Sequence, residues 1–265
     1  MSRSEKHRRM LPAERRYRIL NILEAEGFVK GAELAERFGV NIATIRRDLR
    51  ALAETHGIDV KYGGASLVRD SAHPVLREPD LEEKQVTNLE AKRIIARKAA
   101  ELVQDGESIT LNAGSTASLI LDFLPAHLSS ITVVTLGLNI ACRAARLPFV
   151  NLYLPGGYYR RVSQAMAGPA AERALEEIYV DRAFLGAVAV DMEAGWTHPA
   201  HMEVGVNRLL MSRAREKYLI CDSSKFDQIS FARVAGLEEF DAIISDDALP
   251  AHYVDWAGAN GVSVL

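Results

Sequence analysis

A run of arginines near the start of the chain has the spacing of a helix that could bind DNA. Within residues 40–50 and just beyond, apolar side chains recur at steps of three and four, the period of one helix face: Ile42, Ile45, Leu49 and Leu52. The other face is predicted to carry hydroxyl and guanidinium groups with one acid: Thr44, Arg46, Arg47, Arg50 and Asp48. Asn41 is a suitable N-cap. Such a helix suits the major groove of DNA, although charge runs are also typical of solvated surface helices.

A second polar motif, in the later part of the chain, could bind an anion. Residues 112–117 read Asn-Ala-Gly-Ser-Thr-Ala, between a predicted strand and a predicted helix. Gly114 lets the backbone approach a ligand, Ser115 and Thr116 supply hydroxyls, and the start of the helix presents free N–H groups. The motif therefore indicates a phosphate site; the alternative is a capped turn.

Similar polar loops are predicted after neighbouring strands, at residues 135–139, 155–159 and 222–226. Asp222 can accept hydrogen bonds from sugar hydroxyls, and Lys225 can neutralise a phosphate. Arg160 and Arg161 add positive charge, although solvated arginines are an equal alternative.

Two other kinds of chemistry receive less support. His198, His201 and Glu203 carry groups that could bind a metal, but Pro199 argues against placing both histidines on one helix face. Ser115 lacks the flanking pattern of a nucleophile elbow, and no base for it is identifiable. The sequence therefore predicts no metal site, no catalytic residue and no cofactor.

The elements around the arginine run predict a winged helix-turn-helix over residues 12–68, after a basic arm at 1–11. A first helix is expected over residues 12–26, with Ile19, Ile22 and Leu23 inside, and a second over 32–38, followed by a turn at Gly39. Residues 57–68 predict two strands around Gly63 and Gly64, a hairpin that would form the wing. Lys61 and Tyr62 would lie near the sugar-phosphate backbone.

The rest of the chain predicts an α/β domain. Residues 69–80 hold charges and prolines without periodicity, which indicates a linker. A single long helix is expected over residues 80–103, connecting the winged helix-turn-helix of residues 12–68 (the head) to the α/β domain of residues 81–265 (the body). Strands and helices then alternate through residues 81–265, with one strand over 183–190, which predicts a mostly parallel sheet with helices on its faces. In such sheets ligands lie beyond the carboxyl ends of the strands, where the polar loops fall.

Composition agrees with a basic head on an acidic body. The chain has 265 residues and a net charge of −3; residues 1–70 hold 14 Lys and Arg against 10 Asp and Glu, and the remainder holds 18 against 25. Cys142 and Cys221 lie in apolar runs, which favours buried thiols in a reducing compartment. Neither a secretion signal nor a membrane span is evident, so a cytoplasmic protein is expected.

The head resembles the winged helix of the DeoR family of bacterial transcription regulators. The resemblance rests on residues 33–38, on Thr-Ile-Arg-Arg-Asp-Leu at 44–49, and on Gly-Gly-Ala at 63–65. Asn41 stands where the family usually has Ser, and Tyr62 where it often has His. The resemblance implies DNA contacts from these residues: Asn41, Ala43, Thr44, Arg46, Arg47, Arg50, Lys61, Tyr62, Gly63 and Gly64.

The body resembles the family's C-terminal sensor domain, which is similar to sugar-phosphate isomerase folds. The matching stretches are residues 113–116, 156–157, 183–186, Glu203 and 222–226. Asn112 and Asn207 stand where the family usually has Asp and Lys, and Thr135-Leu136 replaces its common Thr-Asn. The effector site implied by the resemblance comprises Asn112, Gly114, Ser115, Thr116, Thr135, Gly156, Gly157, Glu203, Asn207, Asp222 and Lys225.

These observations predict a repressor of a carbohydrate-use operon that leaves its operator when it binds a phosphorylated sugar. Because the heads would read repeated half-sites, a homodimer or homotetramer is expected. The alternative is an enzyme, a sugar-phosphate isomerase or hydrolase with a DNA-binding appendage. It would need an acid/base pair such as Glu203 and Asp222, and no acidic strand-end motif is evident around Asp181.

Overall fold

The chain divides into two units, residues 1–74 and 75–265. The computed structural model describes residues 12, 15–16, 18–19, 22–23, 28–56, 58–61, 63–67 and 78–265. The predicted arm, parts of the predicted first helix, Tyr62 and most of the predicted linker lie outside these residues.

The described part of the first unit contains the predicted helix-turn-helix and wing. Its elements are β1 (Phe28–Lys30), α1 (Gly31–Phe38), α2 (Ile42–His56), β2 (Ile58–Lys61) and β3 (Gly64–Leu67). Gly39 ends α1 in the left-handed conformation, at φ 59°. Strand β1, which the sequence did not predict, pairs antiparallel with β3 and makes the wing a three-stranded sheet in the order β1-β3-β2.

The core of this unit forms where the periodicity predicted it, except that Ile42 is only half-buried and Asp48 is buried. Ile45, Leu49 and Leu52 of α2 are buried together with Ile19 and Leu23.

Asp48 was predicted on the arginine face, and this was wrong, because its carboxylate is buried. Asp48 follows Ile45 by three residues and therefore shares its side of the helix. Its Oδ2 accepts a hydrogen bond from Nε of Arg15 at 2.6 Å, and the two side chains are 5% and 7% exposed.

The second unit is built on a seven-stranded sheet. The strands of this unit are β4 (Ser108–Leu111), β5 (Ile131–Thr135), β6 (Val150–Tyr153), β7 (Tyr158–Arg160), β8 (Ala165–Ala167), β9 (Val180–Gly186), β10 (Ala189–Asp191), β11 (Gly195–His198), β12 (Ala214–Ile220), β13 (Ala232–Ala235), β14 (Ala242–Ile244) and β15 (Ser263–Val264). The large sheet has the order β15-β14-β12-β9-β4-β5-β6, and every neighbouring pair in it is parallel. The predicted α/β class is confirmed.

Helices cover both faces of this sheet. They are α3 (Leu81–Val86), α4 (Leu89–Glu101), α5 (Ser115–Ile120), α6 (Leu138–Ala144), α7 (Pro169–Leu175), α8 (His201–Ser212) and α9 (Ala251–Asn260). Along β9, Phe184 packs in the core beneath α4, α5 and α6, whereas Ala183 and Leu185 pack in the core beneath α7, α8 and α9. This alternation is the period-two pattern of a strand buried on both sides.

Two predicted elements differ from the structure. The single helix expected over residues 80–103 is two helices, α3 and α4, because Asn88 adopts a left-handed conformation at φ 50° between them. The strand expected over residues 183–190 is split into β9 and β10, which lie in different sheets. The hairpin β7-β8 and the antiparallel sheet β10-β11-β13 were not predicted.

The buried ion pair between Arg15 and Asp48 gives a test of what stabilises the first unit. Asp48→Ala leaves the Arg15 guanidinium buried without this carboxylate and should destabilise the unit by about 3 kcal/mol. Trp196 and Trp256, the only tryptophans, report the second unit alone. Urea unfolding followed by circular dichroism should therefore show early loss of helix while the fluorescence midpoint stays unchanged. Arg46→Ala, at an exposed position of α2, is the control; equal unfolding curves for both variants would contradict the assignment.

Candidate functional site

Helix α2 presents its arginines to solvent. The side chains of Arg46, Arg47 and Arg50 are exposed, as is Ala43, while Thr44 is half-buried. Asn41 caps the helix as predicted, since its Oδ1 accepts a hydrogen bond from the backbone N–H of Ala43 at 2.8 Å. The exposed guanidinium groups lie on a helix fixed by its buried face, which is the arrangement that reads base edges or binds phosphates.

The two glycines of the wing differ in their environment. Gly63 is exposed at the hairpin turn with φ 82°, a conformation that favours glycine, and its carbonyl accepts a hydrogen bond from Gly31 N–H at 2.7 Å. Gly64 is buried, and a Cβ there would lie 2.4 Å from the carbonyl oxygen of Val29. Close packing of β1 on β3 therefore accounts for Gly64. Tyr62 and the side chain of Lys61 lie outside the described residues.

In the second unit, a cavity of about 130 Å³ lies at the carboxyl edge of the large sheet. Its walls include the segments that follow β4, β9 and β12, represented by Ser115, Ala187 and Asp222. Strand order reverses direction between β4 and β9, since chain order runs outward from β4 through β5 on one side and from β9 through β12 on the other. Ligands of open parallel sheets bind at such a switch point.

Six of the eleven predicted effector residues line this cavity: Gly114, Ser115, Thr116, Glu203, Asp222 and Lys225. Ser115 and Thr116 open α5. The carboxylate of Asp222 is held in place by a hydrogen bond from Nδ2 of Asn88 at 2.9 Å. The structure thus brings together the hydroxyls, the carboxylate and the lysine that were predicted from separate loops.

The other five predicted residues do not line the cavity. Asn112 and Asn207 are buried behind it, where Asn112 Nδ2 donates to Asn207 Oδ1 at 3.1 Å and to the carbonyl of Gly186 at 2.9 Å. Thr135 is buried and its hydroxyl donates to the carbonyl of Leu111 at 2.7 Å. Gly156 lies away from the cavity, as does Gly157, where a Cβ would meet the carbonyl oxygen of Ala167 at 2.9 Å.

Sequence reasoning missed two lysines, Lys84 of α3 and Lys92 of α4, which line the cavity with Lys225. Lys92 Nζ donates to the carbonyl of Thr87 at 2.6 Å and to that of Lys84. Burial lowers the pKa of Lys92 to about 8 and also lowers the pKa of Lys84. A signal for Lys92 existed in the sequence, because it precedes the buried Ile95 by one helix turn and so falls on the apolar face of α4.

Glu203 anchors a buried polar network at one side of the cavity. Its Oε1 accepts hydrogen bonds from Ser163 Oγ at 2.5 Å and from Arg160 Nη1, and its Oε2 lies 3.5 Å from His198 Nε2. Although burial alone would raise the pKa of Glu203, His198, Arg160 and the hydrogen bond from Ser163 lower it. Burial lowers the pKa of His198. The Glu203 carboxylate is therefore held in place by three neighbouring side chains.

The described residues offer no group of three His, Cys, Asp or Glu side chains placed to share a metal ion. Asp181 lies at the start of β9, at the opposite edge of the sheet from the cavity, and accepts hydrogen bonds from Ser108 N–H and Oγ. Within the same part of the chain, every helix is too short or too polar to cross a lipid bilayer.

The neutral pair of Asn112 and Asn207 gives a second test, which asks whether the two side chains stabilise each other. Asn112→Asp replaces a buried amide donor with a carboxylate that faces two oxygen acceptors, and should destabilise the unit by about 2–3 kcal/mol. Asn207→Lys alone should also destabilise it. The double variant should recover much of the loss through a new ion pair, measured by urea unfolding with tryptophan fluorescence. Additive losses in the double variant would show that the two positions are not coupled.

Comparisons with known proteins indicate the same family for both units. The family profile described as the DeoR C terminal sensor domain matches residues 87–247, and the DeoR-like helix-turn-helix domain matches residues 15–71. The chain is 34% identical to a protein named as a candidate repressor of the aga operon in Escherichia coli O157:H7, over 96% of this chain and 93% of that one. It is 35% identical to the HTH-type transcriptional regulator GlpR of Haloferax volcanii, over 97% and 98%. It is 28% identical to the glycerol-3-phosphate regulon repressor of Escherichia coli K12, over 91% and 93%. The chain belongs to the DeoR family of transcriptional regulators.

Proposed function

We propose that this regulator represses an operon for carbohydrate use and leaves its operator when a phosphorylated sugar or polyol occupies the cavity. The observation that carries the proposal is the convergence of Lys84, Lys92 and Lys225 with Ser115 and Thr116 around one small cavity. Three ammonium groups and two hydroxyls form a donor set that suits a phosphate dianion, since lysine neutralises its charge and hydroxyls bind its oxygens.

The energetics of the lysines favour an anionic ligand. Burial disfavours the charged form of Lys92 and Lys84, as their lowered pKa values indicate. A bound phosphate would stabilise both ammonium groups, so the affinity for the ligand should be at its full value below about pH 8, where Lys92 is protonated, and should fall as the pH rises above that value. An unphosphorylated sugar offers no such charge, which is why the phosphorylated form should be preferred.

Binding in the second unit can change DNA affinity only if the ligand prefers one conformation of the protein over another. We infer that the ligand favours a conformation that binds the operator weakly. On the DNA side, Arg46, Arg47 and Arg50 would contact base edges and phosphates, with Lys61 and Tyr62 of the wing beside them. A homodimer or homotetramer would place such helices on repeated half-sites.

The names of the relatives support both parts of this proposal, repression of an operon and binding of a small phosphorylated ligand. Two of them are named for repression, one of the aga operon and one of a regulon defined by glycerol 3-phosphate. The second name concerns a small phosphorylated polyol, and a cavity of about 130 Å³ suits a small ligand. The regulators among these relatives also favour a sensor over an enzyme for the α/β unit.

Thermal-shift screening tests the ligand. Pentose phosphates, hexose phosphates and glycerol 3-phosphate should include at least one compound that raises the melting temperature, while the unphosphorylated counterparts do not. Ser115→Ala combined with Lys225→Ala should abolish the shift, because it removes a hydroxyl and an ammonium from the cavity.

Arg161→Ala removes an exposed positive charge that does not line the cavity, and this control should keep the shift. A shift that survives the double substitution would refute the site assignment. Turnover of any of these phosphates would favour the isomerase or hydrolase alternative.

A further inference from the structure

The carboxylate of Glu78 forms ion pairs with Lys84, which lines the cavity, and with Arg160. Its Oε2 lies 2.8 Å from Arg160 Nη2, its Oε1 lies 3.3 Å from Arg160 Nη1, and Lys84 Nζ lies 3.8 Å from Oε1. The three side chains are 13%, 10% and 17% exposed. Ion pairs so shielded from water are much stronger than pairs at an open surface.

One of these two cations, Lys84, lines the cavity. Arg160 does not line it but binds Glu203, which does. Pro79, the residue after Glu78, is part of the wall as well. The carboxylate of Glu78 therefore neutralises positive charge that an anionic ligand would otherwise meet.

We propose that the Glu78 carboxylate is an internal competitor of the ligand, and that an anion bound in the cavity displaces it from Lys84. This inference rests on the proposed function, in which the cavity binds a phosphorylated compound. A phosphate carries more negative charge than a carboxylate and can accept hydrogen bonds from several cations at once, so it can replace Glu78 as the partner of Lys84.

Displacement of Glu78 would loosen the start of the second unit. Asp80 caps α3 through the backbone N–H of Glu83 at 2.8 Å, and the N–H of Leu81 donates to the carbonyl of Val162 at 3.0 Å. At the other end of α3, Lys92 holds the carbonyls of Lys84 and Thr87. The end of α3 thus lies beside Lys92, a cation that a bound phosphate would attract. Glu78 is also the first described residue after segment 68–77, which leads from the DNA-binding unit.

Titration of the full-length protein with inorganic phosphate tests this competition. Glu78→Gln removes the competing charge and keeps the size of the side chain, so it should bind phosphate about tenfold more tightly than wild type. Glu82→Gln, which removes the same charge from an exposed position of α3, should bind like wild type. An affinity of Glu78→Gln equal to that of Glu82→Gln would overturn the inference.

Hydrogen exchange at the Leu81 amide distinguishes displacement of Glu78 from an effect of the changed net charge on phosphate affinity. In wild type, phosphate should accelerate this exchange, whereas in Glu78→Gln the amide should exchange rapidly without phosphate. Equal protection of Leu81 with and without bound phosphate in wild type would overturn the inference while leaving the proposed function intact. If no variant binds phosphate or any phosphorylated compound, the proposed function itself fails and this inference fails with it.

Discussion

Burial of lysine ammonium groups constrains how the second unit packs around its cavity. Lys92 is only 3% exposed, and a buried ammonium must find acceptors for its hydrogens. Two acceptors come from backbone carbonyls at the end of α3, those of Lys84 and Thr87. The position of α3 and the charge of the cavity therefore depend on the same side chain. With two of its three donors used in this way, Lys92 can offer the third to an anion.

The charges of the cavity lie on its walls rather than behind it. Behind it, Asn112 and Asn207 form a neutral hydrogen-bonded pair. The cations that line the cavity come instead from α3, from α4 and from the segment after β12, and the fixed carboxylates come from Glu203 and Asp222.

Some of the fold and site could be predicted because local sequence determines them. The apolar spacing of α2, the capping role of Asn41 and the polar loop that ends in Ser115 and Thr116 each follow from residues close together in the chain. Lys84 and Lys92 were missed because their role depends on how α3 and α4 fold over strand ends far away in sequence.

Two of the errors have different origins. Asp48 looked like part of the solvated face because its type is polar, yet its helix position is inward and its partner, Arg15, lies 33 residues earlier. The break between α3 and α4 rests on a left-handed Asn88 whose side chain bonds to Asp222, a contact across 134 residues. The helix period alone indicates the inward position of Asp48, whereas a tertiary partner overrode local preference at Asn88.

Release of operator DNA by a phosphorylated ligand is the most direct test of the central claim. Fluorescence anisotropy would follow full-length protein on DNA from upstream of the genes beside its own, with and without the phosphorylated compound that raises its melting temperature. The account predicts that wild type binds this DNA and is released at saturating ligand, while the Ser115→Ala, Lys225→Ala protein binds but stays bound. Arg47→Ala should bind weakly from the outset. Wild-type affinity that stays the same at saturating ligand would contradict the account.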